Sequence, residues 1–124
     1  VALDIKRKDI EAMKDGEILV SFINGAIRLS EQEEMVKLLR KKSKIVIAYG
    51  SCSYMGGIPS LANLNDREGI FNYVYKESPT VENPEGTTPN LRYKINDEEL
   101  ELPEFYNNVY ALDNIIEVDY YVPG

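Results

Sequence analysis

Histidine is absent from this 124-residue chain, and cysteine occurs once. Without histidine there is no Ser-His-Asp or Cys-His catalysis, no imidazole-held zinc and no His-ligated haem. A single cysteine makes no internal disulfide and cannot complete a cysteine-only metal site. No apolar run approaches the ~18 residues of a membrane span. The first ten residues, VALDIKRKDI, are mostly polar and charged, unlike a secretory signal. Positive charge is in short supply: 14 Lys and Arg stand against 21 Asp and Glu, a net charge of −7. Nucleic acid and anionic membrane surfaces both need a basic footprint, so neither is expected as a partner.

What is present is ordinary globular composition, 44% hydrophobic and 28% charged. One domain spanning residues 1–124 is expected, with roughly two-thirds of the unfolded surface buried on folding. The chain opens at Val1 without an initiator methionine and stops at Tyr-Val-Pro-Gly, directly after a strand-like run. Both ends read as cuts, so an interior piece of a longer polypeptide is expected.

IKRKDIEAMKDG (5–16) predicts a short helix or turn ended by Gly16, with Ile10 and Met13 on one side. EILVSFIN (17–24) predicts a buried strand broken by Gly25 and Ala26. Ser30 and Glu33 have capping-box spacing at the start of a helix. Glu31, Glu33 and Glu34 in its first turn and Arg40, Lys41 and Lys42 in its last suit the helix dipole. Met35, Leu38 and Leu39 form its core-facing stripe. KIVIAYG (44–50) predicts a second buried strand. Strand, helix and strand within ~30 residues make a βαβ unit with a parallel sheet and a right-handed crossover. The loop after its second strand then lies at the carboxyl edge of the sheet, where open α/β folds place ligands.

Further on, Asp66 can cap a helix running to Glu77. SPTVENPEGTTPN (78–90) carries three prolines and reads as a surface excursion. Residues 91–105 suggest a loose hairpin lying over the body, and NIIEVDYYVPG (114–124) a third strand-like run.

GSCSYMGGIPSLANL (50–64) puts the lone cysteine in a glycine-bracketed turn. Four readings fit the residues. Gly50, Gly56 and Gly57 could form an anion nest for phosphate or flavin, although Walker and GxGxxG spacings are missing. Cys52 could pack as a small hydrophobe. It could be a thiolate nucleophile beside a helix start, without an identifiable base. It could hold a metal cluster, with the glycines admitting a bulky group.

The same segment resembles the G-[ST]-C-x-x-x-GG-[IV]-P-x-LANL stretch of [NiFe]-hydrogenase small subunits. The resemblance is strongest to the methyl-viologen-reducing (deazaflavin-independent) group of methanogenic and related archaea. The small cluster-bearing subunit of respiratory complex I is a more distant relative. NGAIRLSEQEEMVKLLRKKSK (24–44), YVYKESPTVENPEGTTPN (73–90) and ELELPEFYNNVYALDNIIEVDYYVPG (99–124) extend the likeness over nearly the whole chain.

The resemblance implies an α/β, flavodoxin-like, three-layer fold with a parallel sheet, here lacking the first central strand. It implies that Cys52 is one of four ligands of a proximal [4Fe–4S] cluster. Two others would come from a C-x-x-C ahead of Val1. The fourth would follow Pro123 and Gly124, which match the start of PGCPP. Gly50, Ser51, Gly56 and Gly57 would shape the loop, and Gly124 would lead into the missing ligand. Tyr54, Met55 and Ile58 would wall the cluster or a subunit interface, or simply pack. The implied function is a one-electron relay without catalytic residues of its own. H2 would be split at the Ni–Fe centre of a large partner subunit. The implied acceptor is heterodisulfide reductase or another electron-accepting subunit, and the implied location is cytoplasmic. Two alternatives remain: a complex-I-like quinone-reductase cluster subunit, and a cluster-free scaffold or interaction fragment.

Overall fold

The computed structural model describes residues 5–124. The β-branched and aromatic run ILVSFIN forms β1 (Ile18–Asn24), and SKIVIAY forms β3 (Ser43–Tyr49). They pair in parallel from Ile18–Ser43 to Asn24–Tyr49. Between them run the short β2 (Ile27–Leu29) and α2 (Ser30–Lys42), so the expected βαβ unit is present. α1 (Arg7–Ala12) precedes the sheet. β7 (Tyr120–Val122) joins the other side of β3, also in parallel, giving the order β1-β3-β7. β1 and β3 pair directly, and among the described residues β1 has no strand on its other side.

The third strand is much shorter than the run 114–124 suggested. Leu112–Asn114 is a 3₁₀ turn instead, and Leu112 and Ile116 enter the core. Their partners are Ile23, Ile27, Val36, Val46 and Ala48, with Leu39, Tyr110, Ile115 and Val118 packed around them. The inward face of α2 is therefore centred on Val36 and Leu39, with Met35 and Leu38 only half-buried. Strand residues alternate between faces. Val46 and Ala48 point into this core, while Phe22, Tyr49 and Tyr120 on the opposite face are 64%, 48% and 61% exposed. No helix among the described residues is long and apolar enough to cross a membrane.

The capping box is displaced from its expected place. Gln32, not Glu33, turns back, and its Oε1 accepts the Leu29 and Arg28 N–H groups at 3.0 and 2.8 Å. The Ser30 hydroxyl is taken by a distant partner, the Glu104 N–H, at 2.9 Å. Glu33 instead pairs with Lys37 and accepts the Tyr106 hydroxyl. That bond to a carboxylate pushes the Tyr106 pKa up to about 12. Tyr106 belongs to β6 (Phe105–Tyr110), a strand the sequence pattern did not suggest. β6 lies antiparallel to β2, and Glu33–Tyr106 ties that pair to α2.

One cluster of polar contacts locks β7 in place. The Asp119 carboxylate accepts the Val46 N–H at 2.7 Å and an Arg40 Nη1–H at 2.6 Å. Its own N–H donates to the Val46 carbonyl at 3.0 Å. Arg40, in the last turn of α2, also donates to the carbonyls of Ser43, Lys44 and Glu117. The Asp119 carboxyl is held below its ordinary pKa, mainly by Arg40 and then by the Val46 N–H. At the same helix end, the nearly buried Lys42 ammonium donates to Met13 O at 2.5 Å and pairs with Asp15 at 3.1 Å.

Beyond β3 come α3 (Ser51–Met55) and a 3₁₀ turn over Ile58–Leu64. α4 (Arg67–Asn72) follows, capped as expected by the Asp66 side chain on Gly69 N at 2.7 Å, and a π-turn continues it to Glu77. The proline-rich excursion is pinned by Asn83, which bonds Tyr75 O, Thr87 O and Thr87 N. The hairpin exists as β4 (Arg92–Ile95) and β5 (Glu98–Glu101), but every residue of both strands is exposed, so it does not lie over the body.

Two consequences are measurable. Leu112 is fully buried, so Leu112→Ala should cost about 2–5 kcal/mol by urea denaturation. Asp119→Asn should lower the urea midpoint at pH 7. A depressed carboxyl pKa stabilises the fold above the ordinary Asp pKa of about 3.9 and loses that effect as pH falls through the lower folded value. The gap between wild type and variant should therefore close below about pH 4, and a gap constant from pH 7 to pH 3 would contradict the clamp.

Candidate functional site

The site grows from the end of β3. Gly50 leaves the sheet at φ +87°, and its N–H donates to the Val122 carbonyl of β7 at 2.7 Å. Its carbonyl accepts the Tyr54 N–H at 3.0 Å and so opens α3. Ser51 is exposed and Cys52, the next residue, is half-buried. Gly56 ends the turn in the left-handed region at φ +85°, with its N–H on Cys52 O at 2.9 Å.

Gly57 is the tightest point. A Cβ there would stand 2.9 Å from the Cα, the N and the Sγ of Cys52. The backbone at 57 thus lies flat against the sulfur, and only glycine permits it. Ser60 fixes this double-glycine turn, its hydroxyl donating to Gly57 O at 2.7 Å and its N–H reaching Gly56 O and Gly57 O. Asn63 ties the segment to β6 by exchanging two bonds with the Val109 backbone, at 2.7 and 2.9 Å.

The parallel β3–β7 pairing carries both strand ends to the same edge. Gly124, at φ +83°, lies so close that its Cβ would be 3.4 Å from Gly50 Cα and 3.9 Å from Ser51 N. Residues far apart in sequence are thereby neighbours. Gly50, Ser51, Cys52, Gly56, Gly57 and Gly124, singled out from the sequence, form one continuous patch.

The patch is uncharged: residues 50–64 include no Asp, Glu, Lys or Arg. Its rim is apolar and exposed, with Met55 60%, Ile58 79% and Leu64 84% accessible. Beneath it, Ser53 is fully buried and its hydroxyl has no hydrogen-bond partner. Tyr54 packs edge-on to Tyr121 at 5.5 Å between ring centroids, and the Tyr121 hydroxyl makes a long 3.3 Å contact to Asp113. Burial first, then Asp113, raises the Tyr121 pKa.

These contacts sort the chemistry. The Gly50 and Gly56 N–H groups are already used by protein carbonyls, so the anion-nest reading loses two of its donors. No acid–base partner sits within the loop to serve a thiolate nucleophile. Among the described residues no group of three His, Cys, Asp or Glu side chains could hold a metal. What the loop presents is one half-buried sulfur with the glycine backbone of residue 57 packed against it.

Sequence reasoning missed Ser60, Asn63, Ser53 and the Tyr121–Asp113 pair. Asn63 had a signal, a lone amide inside the apolar run LANL. Ser53 and Asp113 had none, because their importance comes from burial and distant packing.

The chain is similar to known proteins over most of its length. The chain is 45% identical over 121 residues to the iron-sulfur subunit of the F420-non-reducing hydrogenase of Archaeoglobus profundus, covering 98% of this chain and 38% of that one. It is 36% identical over 124 residues to a subunit of the F420-non-reducing hydrogenase of Methanothermobacter thermautotrophicus, covering 100% of this chain and 36% of that one. It thus spans under two-fifths of the length of these curated relatives. Among solved structures it matches the NAD+-reducing [NiFe]-hydrogenase in the H2-reduced state, with a TM-score of 0.74 and 27% identity over 90% of this chain and 57% of that one. The family described as NADH ubiquinone oxidoreductase, 20 Kd subunit, matches residues 3–124, and the chain belongs to that family.

Proposed function

We propose that residues 1–124 form one domain of the electron-transfer subunit of a [NiFe]-hydrogenase, with Cys52 as one ligand of a [4Fe–4S] cluster. The observation that carries this reading is the meeting of the Cys52 loop with Gly124 at the carboxyl edge of the sheet. A residue following Gly124 would start out from beside Gly50 and Ser51, the residues that lead into Cys52. The relatives named as hydrogenase subunits, one of them an iron-sulfur subunit, support the same assignment.

The residues present fit one corner of such a cluster. Cys52 offers the sulfur, and Gly57 withholds the Cβ that would crowd it. The unpartnered Ser53 hydroxyl marks a polar atom that nothing else in the described chain satisfies. The other three sulfurs must come from outside these residues, since the chain holds a single cysteine. A bound [4Fe–4S] cluster would supply reversible one-electron storage. The chain's own part is to fix one sulfur, through the bond from Gly56 N–H to Cys52 O and the Gly50–Val122 bond, and to keep charge away from it.

H2 cleavage belongs to a large partner subunit in this reading. The exposed rim of Met55, Ile58 and Leu64 is the surface such a partner would cover. Electrons would leave toward heterodisulfide reductase or another acceptor subunit. The family description favours a second reading, a quinone-reducing module of the complex I type. The hydrogenase names of the most similar relatives weigh toward the first.

Cys52→Ser in the full-length subunit should abolish or convert a cluster EPR signal and lower bound iron; an unaltered spectrum would remove Cys52 from the ligand set. Gly57→Ala should reduce cluster retention or electron transfer by about 10–100-fold, as outer-shell changes at metal sites do. Gly25→Ala is its control: Gly25 also has positive φ, +94°, but a Cβ there meets nothing within 4 Å. Equal iron loss in both variants would show that backbone strain, not crowding at the sulfur, was responsible.

A further inference from the structure

Residues 91–102 form a ribbon with two chemically opposite faces. Its strands oppose Arg92 with Glu101, Tyr93 with Leu100, Lys94 with Glu99 and Ile95 with Glu98. The ladder continues to Leu91 and Leu102, where the Leu102 N–H donates to Leu91 O at 2.8 Å. A two-residue turn, Asn96–Asp97, joins the strands, with Asn96 at φ +57°. Such tight turns match the twist of the strands they join.

Directly opposed residues share a face. One face therefore carries Arg92, Lys94, Glu99 and Glu101 in opposite-sign pairs, with Arg92 and Glu101 at 3.7 Å. The other carries Leu91, Tyr93, Ile95, Leu100 and Leu102, each 48–58% exposed, with Glu98 opposite Ile95 at its tip. Isolated apolar side chains on a surface need no explanation, but five in one contiguous strip do. A lone two-stranded ribbon is at best marginally stable in water, so this strip gains from a cover.

Charge decides what the cover is. The ribbon bears Asp97, Glu98, Glu99 and Glu101 against Arg92 and Lys94. The hollow at its base is lined by Glu31, Glu34 and Glu104, and Arg7 there is already engaged by Glu11 and Glu34. A second copy meeting the ribbon face to face would bring two net-acidic surfaces together. Nucleic acid and anionic lipid are repelled by the same field.

We propose that the 91–102 ribbon is a docking arm for a different polypeptide, one that meets it with an apolar strip flanked by lysine and arginine. The arm is independent of the cluster assignment, since none of its residues belongs to the Cys52 patch.

The test compares the native protein purified from its source with the full-length polypeptide expressed alone. Amide hydrogen exchange over 92–101 should be at least tenfold slower in the native preparation. Equal exchange, including the case of a native monomer, overturns the proposal. Carbodiimide cross-linking should join Glu98, Glu99 or Glu101 to lysines of a different polypeptide; links only to another copy of this chain overturn it. Glu98→Lys keeps the five apolar side chains and both opposite-sign cross-strand pairs, and should weaken the association by tenfold or more, with a reduced salt dependence. An unchanged association would mean that charge does not select the partner, and would overturn the proposal as stated.

Discussion

The arrangement rests on Asp119. Its carboxylate holds the Val46 N–H and Arg40, and its N–H returns to Val46 O. Three elements meet there: the end of α2, the middle of β3 and the approach to β7. β7 is only three residues long and would be a weak strand on its ladder bonds alone. Side-chain pairing at its entrance supplies what the ladder lacks. Both groups are partly solvated, with 23% and 34% of their side chains exposed, so the contact matters more as a positioning device than as a reservoir of stability.

From that clamp the rest of the site follows by geometry. With Asp119 fixed beside Val46, β7 runs in parallel register to Val122 opposite Tyr49. The next residues, Pro123 and Gly124, must then lie beside Gly50 and Ser51. Parallel strands deliver their carboxyl ends to one edge, which is why such sheets gather ligand-binding loops there. Here the edge receives a sulfur from one strand end and a glycine turn from the other. The two exposed apolar regions, the Met55–Leu64 rim and the 91–102 ribbon, sit on different elements and carry different charge. The first is neutral and the second acidic, so they suit different surfaces.

Much of this was legible in the sequence, and the failures are instructive. β1, α2 and β3 were readable because local propensity, pattern and burial agree along 17–50. The Cys52 loop was readable because glycine at positive φ leaves a signature. The capping box was misread because Ser30 and Glu33 have better partners far away, Glu104 and Tyr106. Local competition rules cannot see partners so distant in sequence. β6 was missed because FYNNVY holds two asparagines, and Asn63 stands in as a strand partner by bonding the Val109 backbone. NIIEVDYYV looked like one strand because Ile115 and Ile116 are apolar, but they serve the core at the end of a 3₁₀ turn.

The same contrast bears on the role proposed for the single cysteine of this acidic chain. A thiol that merely fills space could sit anywhere in the core, where Val46, Ala48 and Leu112 already pack fully out of solvent. Cys52 sits outside that core, half-buried, with Gly57 pressed against it at a distance no other residue tolerates. Gly50, Gly56 and Gly57 all take positive φ; they lose conformational freedom on folding and contribute no side-chain packing in return. Ser60 and Asn63 then commit their polar groups to holding that turn rather than meeting solvent. Such an ordering cost fits the proposed role, in which the loop serves a group larger than any side chain.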